Sequence, residues 1–257
     1  MGLLIDIGNT NTHVGVCDPK RGVRRKCDFP TNLWFSPEIT KKLNELANYI
    51  GTDGVALCSV VPEATKTAIQ EFNKNFNVTP WVLTYKNAPL CFKKYPVPSS
   101  LGADRIANAV AAANLYLPPA IVVSCGTAVT IDYVDKNHCF IGGVILPGIS
   151  MFTQYLHEKT ALLPKVDFRK YNLSYGKDTK SAILAGMNTG FPAMINAIIE
   201  GMFKQLKLKD TIVVATGSYA KLIESRTGVI NIIDPELTLS GLYISWKKII
   251  TGNKPIN

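Results

Sequence analysis

Asp6-Ile7-Gly8-Asn9-Thr10-Asn11-Thr12, closed by Gly15, returns about half a chain later as Ser124-Cys125-Gly126-Thr127-Ala128-Val129-Thr130. Each copy follows an apolar run, Leu3-Leu4-Ile5 in the first and Ile121-Val122-Val123 in the second, and each leads into another. The pattern predicts a strand, a tight Gly-Thr hairpin and a returning strand, used twice. A small Gly with flanking hydroxyls lets backbone N–H groups and threonine side chains approach phosphate oxygens closely. The copies differ in their first residue. Asp6 opens one with a carboxylate, and Ser124 opens the other.

Outward from the first copy, strands are expected at 2–6, 12–17 and 24–29, a helix near 36–49, a strand at 55–61, a helix near 62–76 and a strand at 80–85. The helices rest on apolar spacing such as Ile39, Leu43, Leu46 and Ile50, the strands on runs such as Val55 to Val61. Pro96-Val97-Pro98-Ser99-Ser100 reads as a rigid loop before an alanine-rich helix, with Ser99 or Ser100 placed to cap it. The second half repeats the scheme. Strands are expected at 120–124, 128–134 and 139–146, helices near 148–161 and 178–207, a strand at 211–216, and helices near 218–225 and 238–250. A meander followed by alternating strands and helices predicts an α/β domain with a mixed sheet. The echo predicts two of them in tandem, residues 1–113 and 114–257, with the closing helix able to pack back on the first.

With 257 residues, 47% hydrophobic and 18% charged, the chain has the composition of an ordinary globular protein. No apolar run reaches the roughly 18 residues of a membrane helix. Met1-Gly2-Leu3-Leu4-Ile5-Asp6 lacks the basic region of a signal peptide, so a cytoplasmic location is expected. Six cysteines without C-x-x-C spacing are expected to be buried free thiols, and three histidines without ligand spacing give no zinc site. The net charge of +9 is dispersed apart from Arg24-Arg25-Lys26, which favours a solvated basic surface and anionic substrates over a nucleic-acid footprint.

Asp6, at a strand end beside a phosphate-sized turn, is placed to hold Mg²⁺ directly or through water. The same residues would also serve a plain Asp-initiated β-turn; the second Gly-Thr turn favours the phosphate reading. Asp104 and Arg105, at the mouth of a loop behind Gly102, read as a general base with an anion-orienting partner, or as a helix-capping acid. Gly142-Gly143 and Gly148 mark turns or close ligand approach. The wide apolar face carrying Ile183, Leu184, Met187, Phe191, Met194, Ile195, Ile198 and Met202 reads as core or as a subunit interface.

Seven segments then fall in order. Asp6 to Gly15 reads D-x-G-N-T…G, Ser59 to Pro62 reads S-V-V-P, and Gly102 to Arg105 reads G-x-D-R. Gly126 to Thr130 reads G-T-A-x-T, Gly142 to Gly148 reads G-G-x-I-x-P-G, Ala215 to Gly217 reads A-T-G, and Leu237 to Leu242 reads L-T-L-x-G-L. In this order, essentially end to end, the chain resembles the type III pantothenate kinases, bacterial enzymes of the acetate/sugar kinase–Hsp70–actin superfamily. The resemblance implies two tandem ribonuclease-H-like (actin-like ATPase) domains with mixed sheets and a nucleotide cleft between them. It also implies a homodimer whose interface contributes to the pantothenate pocket. The implied reaction is ATP-dependent phosphorylation of pantothenate to 4'-phosphopantothenate, the first step of coenzyme A biosynthesis. By matching position, Asp104 is implied as the base that accepts the hydroxyl proton. Asp6, Ile7, Gly8, Asn9, Thr10, Asn11, Thr12 and His13 are implied to serve Mg²⁺-ATP, with Asp6 on the magnesium side, and Thr127 to touch the nucleotide phosphates. Tyr95, Gly102, Ala103, Asp104, Arg105 and Thr179 are implied to line the pantothenate site, where Arg105 suits a carboxylate.

The departure is Ser124. The family has an aspartate there that coordinates a monovalent cation, potassium or ammonium. A serine hydroxyl supplies one oxygen and no charge, so cation affinity should fall. Ser218 stands where the family usually has a second Gly. Asp132 would share a face with Ser124 and Thr130 in a regular hairpin. Two other readings follow from the same residues: a related small-alcohol or sugar kinase, or a non-catalytic homologue acting as a regulatory or nucleic-acid-binding factor. An acceptor panel and salt-dependent duplex binding separate them. Turnover titrated with potassium is expected to show little dependence in this protein and a clear dependence in Ser124→Asp. A variant that stays indifferent to potassium would place the defect elsewhere in the cation site.

Overall fold

Every residue of strand β1 (Gly2–Ile7) is buried, as befits a strand that is central and covered on both faces. A turn closed by a 3.0 Å hydrogen bond from the Gly8 N–H to the Asn11 carbonyl returns the chain antiparallel as β2 (Asn11–Asp18), and β3 (Gly22–Pro30) extends the meander. On the other side β4 (Gly54–Ser59) pairs parallel with β1, and β5 (Trp81–Val82) pairs parallel with β4. The sheet order is β3-β2-β1-β4-β5. A second sheet holds β6 (Ala120–Cys125), β7 (Ala128–Val134), β8 (Phe140–Pro147), β9 (Ile212–Thr216) and β10 (Ile232–Ile233), in the order β8-β7-β6-β9-β10. Counted along the chain the two orders are the same, the ribonuclease-H-like arrangement used twice. This is the structural form of the motif echo.

This computed structural model describes residues 2–18, 22–51, 53–168, 172 and 174–250. Its contacts divide the chain into two units, one of Met1–Pro118, Val134–Gly142 and Glu236–Asn257, the other of Pro119–Tyr133 and Gly143–Pro235. In the first unit, side-chain alternation along the strands splits the core in two. Leu3, Ile5 and Ile7 of β1 with Val55 and Leu57 of β4 face α1 (Glu38–Leu46) and α2 (Pro62–Phe76), where Leu43, Ala68 and Phe72 meet them. Leu4, Ala56 and Cys58 face the alanine-rich α3 (Ala103–Leu115) and Leu239, Leu242 and Trp246 of the closing helix α7 (Leu237–Ile250). The motif Ser59-Val60-Val61-Pro62 is the start of α2. The Ser59 hydroxyl accepts the Val61 N–H at 3.1 Å, and Pro62 takes the first helical position, where its missing N–H costs nothing.

In the second unit α4 (Ile149–Glu158), α5 (Thr179–Gln205) and α6 (Ala220–Thr227) follow, and Ile121, Val123, Cys125, Val129 and Ile131 share a core with Phe191, Ile195 and Ile199. Helix α5 begins at a capping box between Asp178 and Ser181 and buries one stripe, Leu184, Asn188, Phe191, Ile195 and Ile199. Met187, Met194, Ile198 and Met202 flank that stripe half-buried, so the wide apolar face is core along the stripe and only partly covered beside it. Among the described helices, α5 is long and apolar enough to cross a membrane by length and composition.

Several expectations are corrected. The helix expected near 36–49 is α1 followed by a tight 3-10 turn, and a further 3-10 segment, Thr31–Phe35, precedes it. Neither Ser99 nor Ser100 caps α3; both lie in a 3-10 turn where the Ser100 hydroxyl donates to the Val97 carbonyl at 2.8 Å, and Gly102 is the N-cap. The two-residue strand β10 was too short to leave a pattern. Cys91 and Cys139 are disulfide-bonded rather than free, because a parallel bridge brings their Cα atoms to 4.2 Å; Cys17, Cys27, Cys58 and Cys125 remain free.

Helices α3 and α7 touch backbone to backbone, and a Cβ at Gly241 would lie 1.8 Å from the Ala107 carbonyl oxygen. Gly241→Ala is therefore expected to cost about 3 kcal/mol or more. Gly201→Ala, on an exposed turn of α5 with open space around it, should instead stabilise by about 0.4–1 kcal/mol. Thermal melting of the two variants checks both signs.

Candidate active site

Asp6 follows from the alternation just described. It lies on the Leu4 face of β1, beside Cys58 in the parallel register, under the start of α3. Asp104 in the first turn of α3 points back to the same place. Its Oδ1 accepts the Arg105 N–H at 2.8 Å, and a Cβ on Gly102 would sit 2.5 Å from that oxygen. Gly102 is thus needed for the carboxylate to fold down. Burial and the nearby charge of Asp104 push Asp6 up from its usual 3.8 to about 7, against weaker lowering contributions from the Cys58 thiol and Arg25. Burial also raises Asp104, against the lowering pull of the Arg105 N–H and guanidinium. Burial and mutual repulsion together favour the protonated form of the pair.

Arg105 is buried, with its guanidinium carbon 5.5 Å from the centre of the Phe140 ring, and Tyr95 meets the same ring edge-on at 5.1 Å. The structure therefore brings together Tyr95, Gly102, Ala103, Asp104 and Arg105, residues the sequence could only place on one loop and one helix end. Phe140 itself was not singled out. It belongs to no motif, and a lone aromatic at a strand start carries no signal.

Around the Gly8–Thr12 turn the expected residues divide. Asn9, Thr10 and Asn11 are exposed, whereas the Ile7 side chain is in the core and only its backbone borders the turn. The Thr12 hydroxyl is buried, pairs with Thr31 Oγ1 at 3.2 Å and accepts the Trp34 indole N–H at 3.0 Å, while Thr31 donates to the Gly8 carbonyl at 2.7 Å. This network fixes the turn's shape from beneath. His13 turns to the sheet's outer strand, where its Nδ1 lies 2.8 Å from Asp28 and against Arg25; the His13 and Arg25 contacts outweigh burial and lower the Asp28 carboxyl.

The second unit carries the other turn. Gly126 and Thr127 sit at its tip, with Thr127 exposed and its carbonyl accepting the Gly148 N–H at 2.8 Å. A Cβ on Gly148 would lie 2.3 Å from the Thr127 carbonyl oxygen, and one on Gly217 2.5 Å from that of Cys125, so the later glycine motifs buttress this turn. Ile121, Val123 and Cys125 share a core with Val129 and Ile131, which leaves Ser124, Thr130 and Asp132 on the opposite face, as a regular hairpin requires. Ser124 is half-buried, and the Thr130 hydroxyl is buried without a hydrogen-bond partner. Thr179 is exposed at the first turn of α5.

Duplicated ribonuclease-H-like units of this order place the protein in the actin-like ATPase and sugar-kinase class of folds. A solved structure of the activator of 2-hydroxyisocaproyl-CoA dehydratase from Clostridium difficile, with bound ADPNP, matches at a TM-score of 0.54 and 10% identity, covering 100% of this chain and 99% of that one. A family model described as type III pantothenate kinase matches residues 2–201, and the chain belongs to that family. It is 37% identical to a type III pantothenate kinase of Methylacidiphilum infernorum over 94% of this chain and 86% of the relative. It is also 35% identical to one of Geobacillus sp. over 96% of this chain and 98% of the relative.

Asp6 holds its proton more tightly in the folded state than in the unfolded one. Its contribution to stability is thus fully present below the ordinary carboxylate range and is lost as pH rises toward about 7. The loss amounts to something on the order of 4 kcal/mol. Asp6→Asn should melt higher than the unsubstituted protein at pH 8 and about equally at pH 4. Melting curves that shift in parallel across that range would contradict the assignment.

Proposed function

We propose that this protein transfers the γ-phosphoryl group of ATP to the primary hydroxyl of pantothenate, as the family to which it belongs is named for doing. The observation that carries the reading is the buried Asp6–Asp104 pair, held where β1 ends and α3 begins. Phosphoryl transfer asks the protein mainly to position and to stabilise charge, and this pair supplies both a proton acceptor and a cation ligand. Asp104 accepts the proton of the attacking hydroxyl; burial keeps it more basic than a solvated aspartate, and the Arg105 N–H holds its orientation. Arg105 offers a fixed guanidinium to the acceptor's carboxylate, with Tyr95, Gly102 and Ala103 as further acceptor contacts.

Asp6 fits a divalent cation, Mg²⁺ in this reading, because it is buried beside a second acid that raises its proton affinity. A cation there neutralises charge on the nucleotide phosphates when bound. The exposed Asn9, Thr10 and Asn11 and the backbone of Gly8 serve those phosphates in the first unit, and Thr127 does so in the second. His13, engaged with Asp28, steadies the hairpin rather than the nucleotide. On the face they share with Asp132, Ser124 and Thr130 offer hydroxyl oxygens, that of Thr130 without a hydrogen-bond partner, which fits a weak site for potassium or ammonium. The half-buried methionines and isoleucine flanking the α5 stripe support a homodimer, and the setting is cytoplasmic. The nucleic-acid reading has no comparable support, since every residue of the Gly102–Arg105 motif is in place.

Purified protein given ATP and pantothenate should form ADP and 4'-phosphopantothenate in equal amounts. Asp104→Asn should lower kcat by about 10²–10⁴-fold while the melting temperature changes little. Absence of product from the unsubstituted protein with potassium, ammonium or sodium would overturn the reading.

A further inference from the structure

The connection 83–102 between β5 and α3 is long and carries Tyr95, and a loop of that length needs ties to hold a side chain still. It has several to the segment 135–140. The Cys91–Cys139 disulfide joins the two covalently. The Cys91 N–H donates to the His138 carbonyl at 3.0 Å, the Phe140 N–H donates to the Cys91 carbonyl at 2.8 Å, and Lys94 pairs with Asp135 at 2.8 Å. At the end of this brace stands Phe140, fully buried. Phe92 packs on it with ring centres 6.5 Å apart, Tyr95 lies edge-on, and the Arg105 guanidinium lies over the ring.

We propose that Phe140, seated by the Cys91–Cys139 disulfide, is a positioning residue for the phosphoryl acceptor: its ring holds the Arg105 guanidinium and the Tyr95 ring in their acceptor-binding arrangement. The inference rests on the reading of Arg105 and Tyr95 given above. An aliphatic residue would fill the same volume. It would lack the negative ring face that attracts a guanidinium within about 6 Å and the edge geometry that favours a T-shaped aromatic pair. A buried arginine left without such directional neighbours keeps its charge but loses its aim. The disulfide matters because it fixes the backbone on both sides of the contact, at Cys139 next to Phe140 and at Cys91 near Tyr95.

The test replaces Phe140 in the full chain by mono-, di- and trifluorinated phenylalanine, which keeps the shape while draining the ring face of negative potential. KM for pantothenate should rise stepwise, by about threefold to tenfold across the series, with KM for ATP and the melting temperature steady. A purely structural ring would not follow the fluorine count. In Cys91→Ser/Cys139→Ser, KM for pantothenate should likewise rise while KM for ATP holds. Pantothenate turnover with a KM flat across the fluorinated series, or unmoved in the double variant, overturns the proposal. No pantothenate turnover by the unsubstituted protein overturns the functional reading and this inference with it, so the two failures are told apart.

Discussion

Two carboxylates buried side by side are the constraint around which the first unit is arranged. Ionised, each is costly in an apolar setting, and Asp104 raises the cost for Asp6. Much of the surrounding sequence makes the juxtaposition possible. β1 is apolar at every position but Asp6, which shares with Leu4 the face toward α3. Cys58 offers a thiol where a larger residue would crowd the pair, Gly102 makes room for the folded Asp104 carboxylate, and alanines let α3 lie close to the sheet. A protein selected for stability alone would not keep such a pair. Wherever both acids ionise, the pair costs stability instead of adding to it.

The same frame explains how the two turns can look alike and work differently. The first is shaped from below by Thr12, Thr31 and Trp34, with Asn9, Thr10 and Asn11 exposed above. The second is shaped from the side by Gly148 and Gly217, which leaves Thr127 at the tip. One threonine position has become structural in the first copy, and the carboxylate of the first copy has become a hydroxyl in the second. Duplicated architecture does not require duplicated chemistry.

Much of this was legible beforehand, for physical reasons. Apolar runs of strand length around Gly-Thr turns determined the sheets, and the alternation of Leu3, Ile5 and Ile7 against Leu4 and Asp6 already implied which face the carboxylate takes. Ser59-Val60-Val61-Pro62 could be seen as a motif, though its role in starting α2 needed the hydroxyl geometry. The rest depended on contacts between distant segments, which leave no local pattern. The Cys91–Cys139 pair is separated by 48 residues with no spacing rule to announce it. Phe140 becomes meaningful only once Arg105 and Tyr95 arrive at its ring. The Ser99–Ser100 cap failed because those hydroxyls serve their own turn, and β10 is shorter than the periodicity that would reveal it.

The place of α7 has a consequence for how the chain is made. Gly2 lies against the Trp246 ring, and Leu239 and Leu242 complete the core over β1 and α3, so β1 is covered by a helix far along the chain from it. During translation that face of the first unit's sheet carries α3 alone until the second unit has emerged. Its completion is a late, long-range step, the kind that slows folding and leaves apolar surface exposed in the interim. The second unit has no such debt, since its own residues are contiguous save for one short excursion. The first unit's core thus closes only after α7 has joined it.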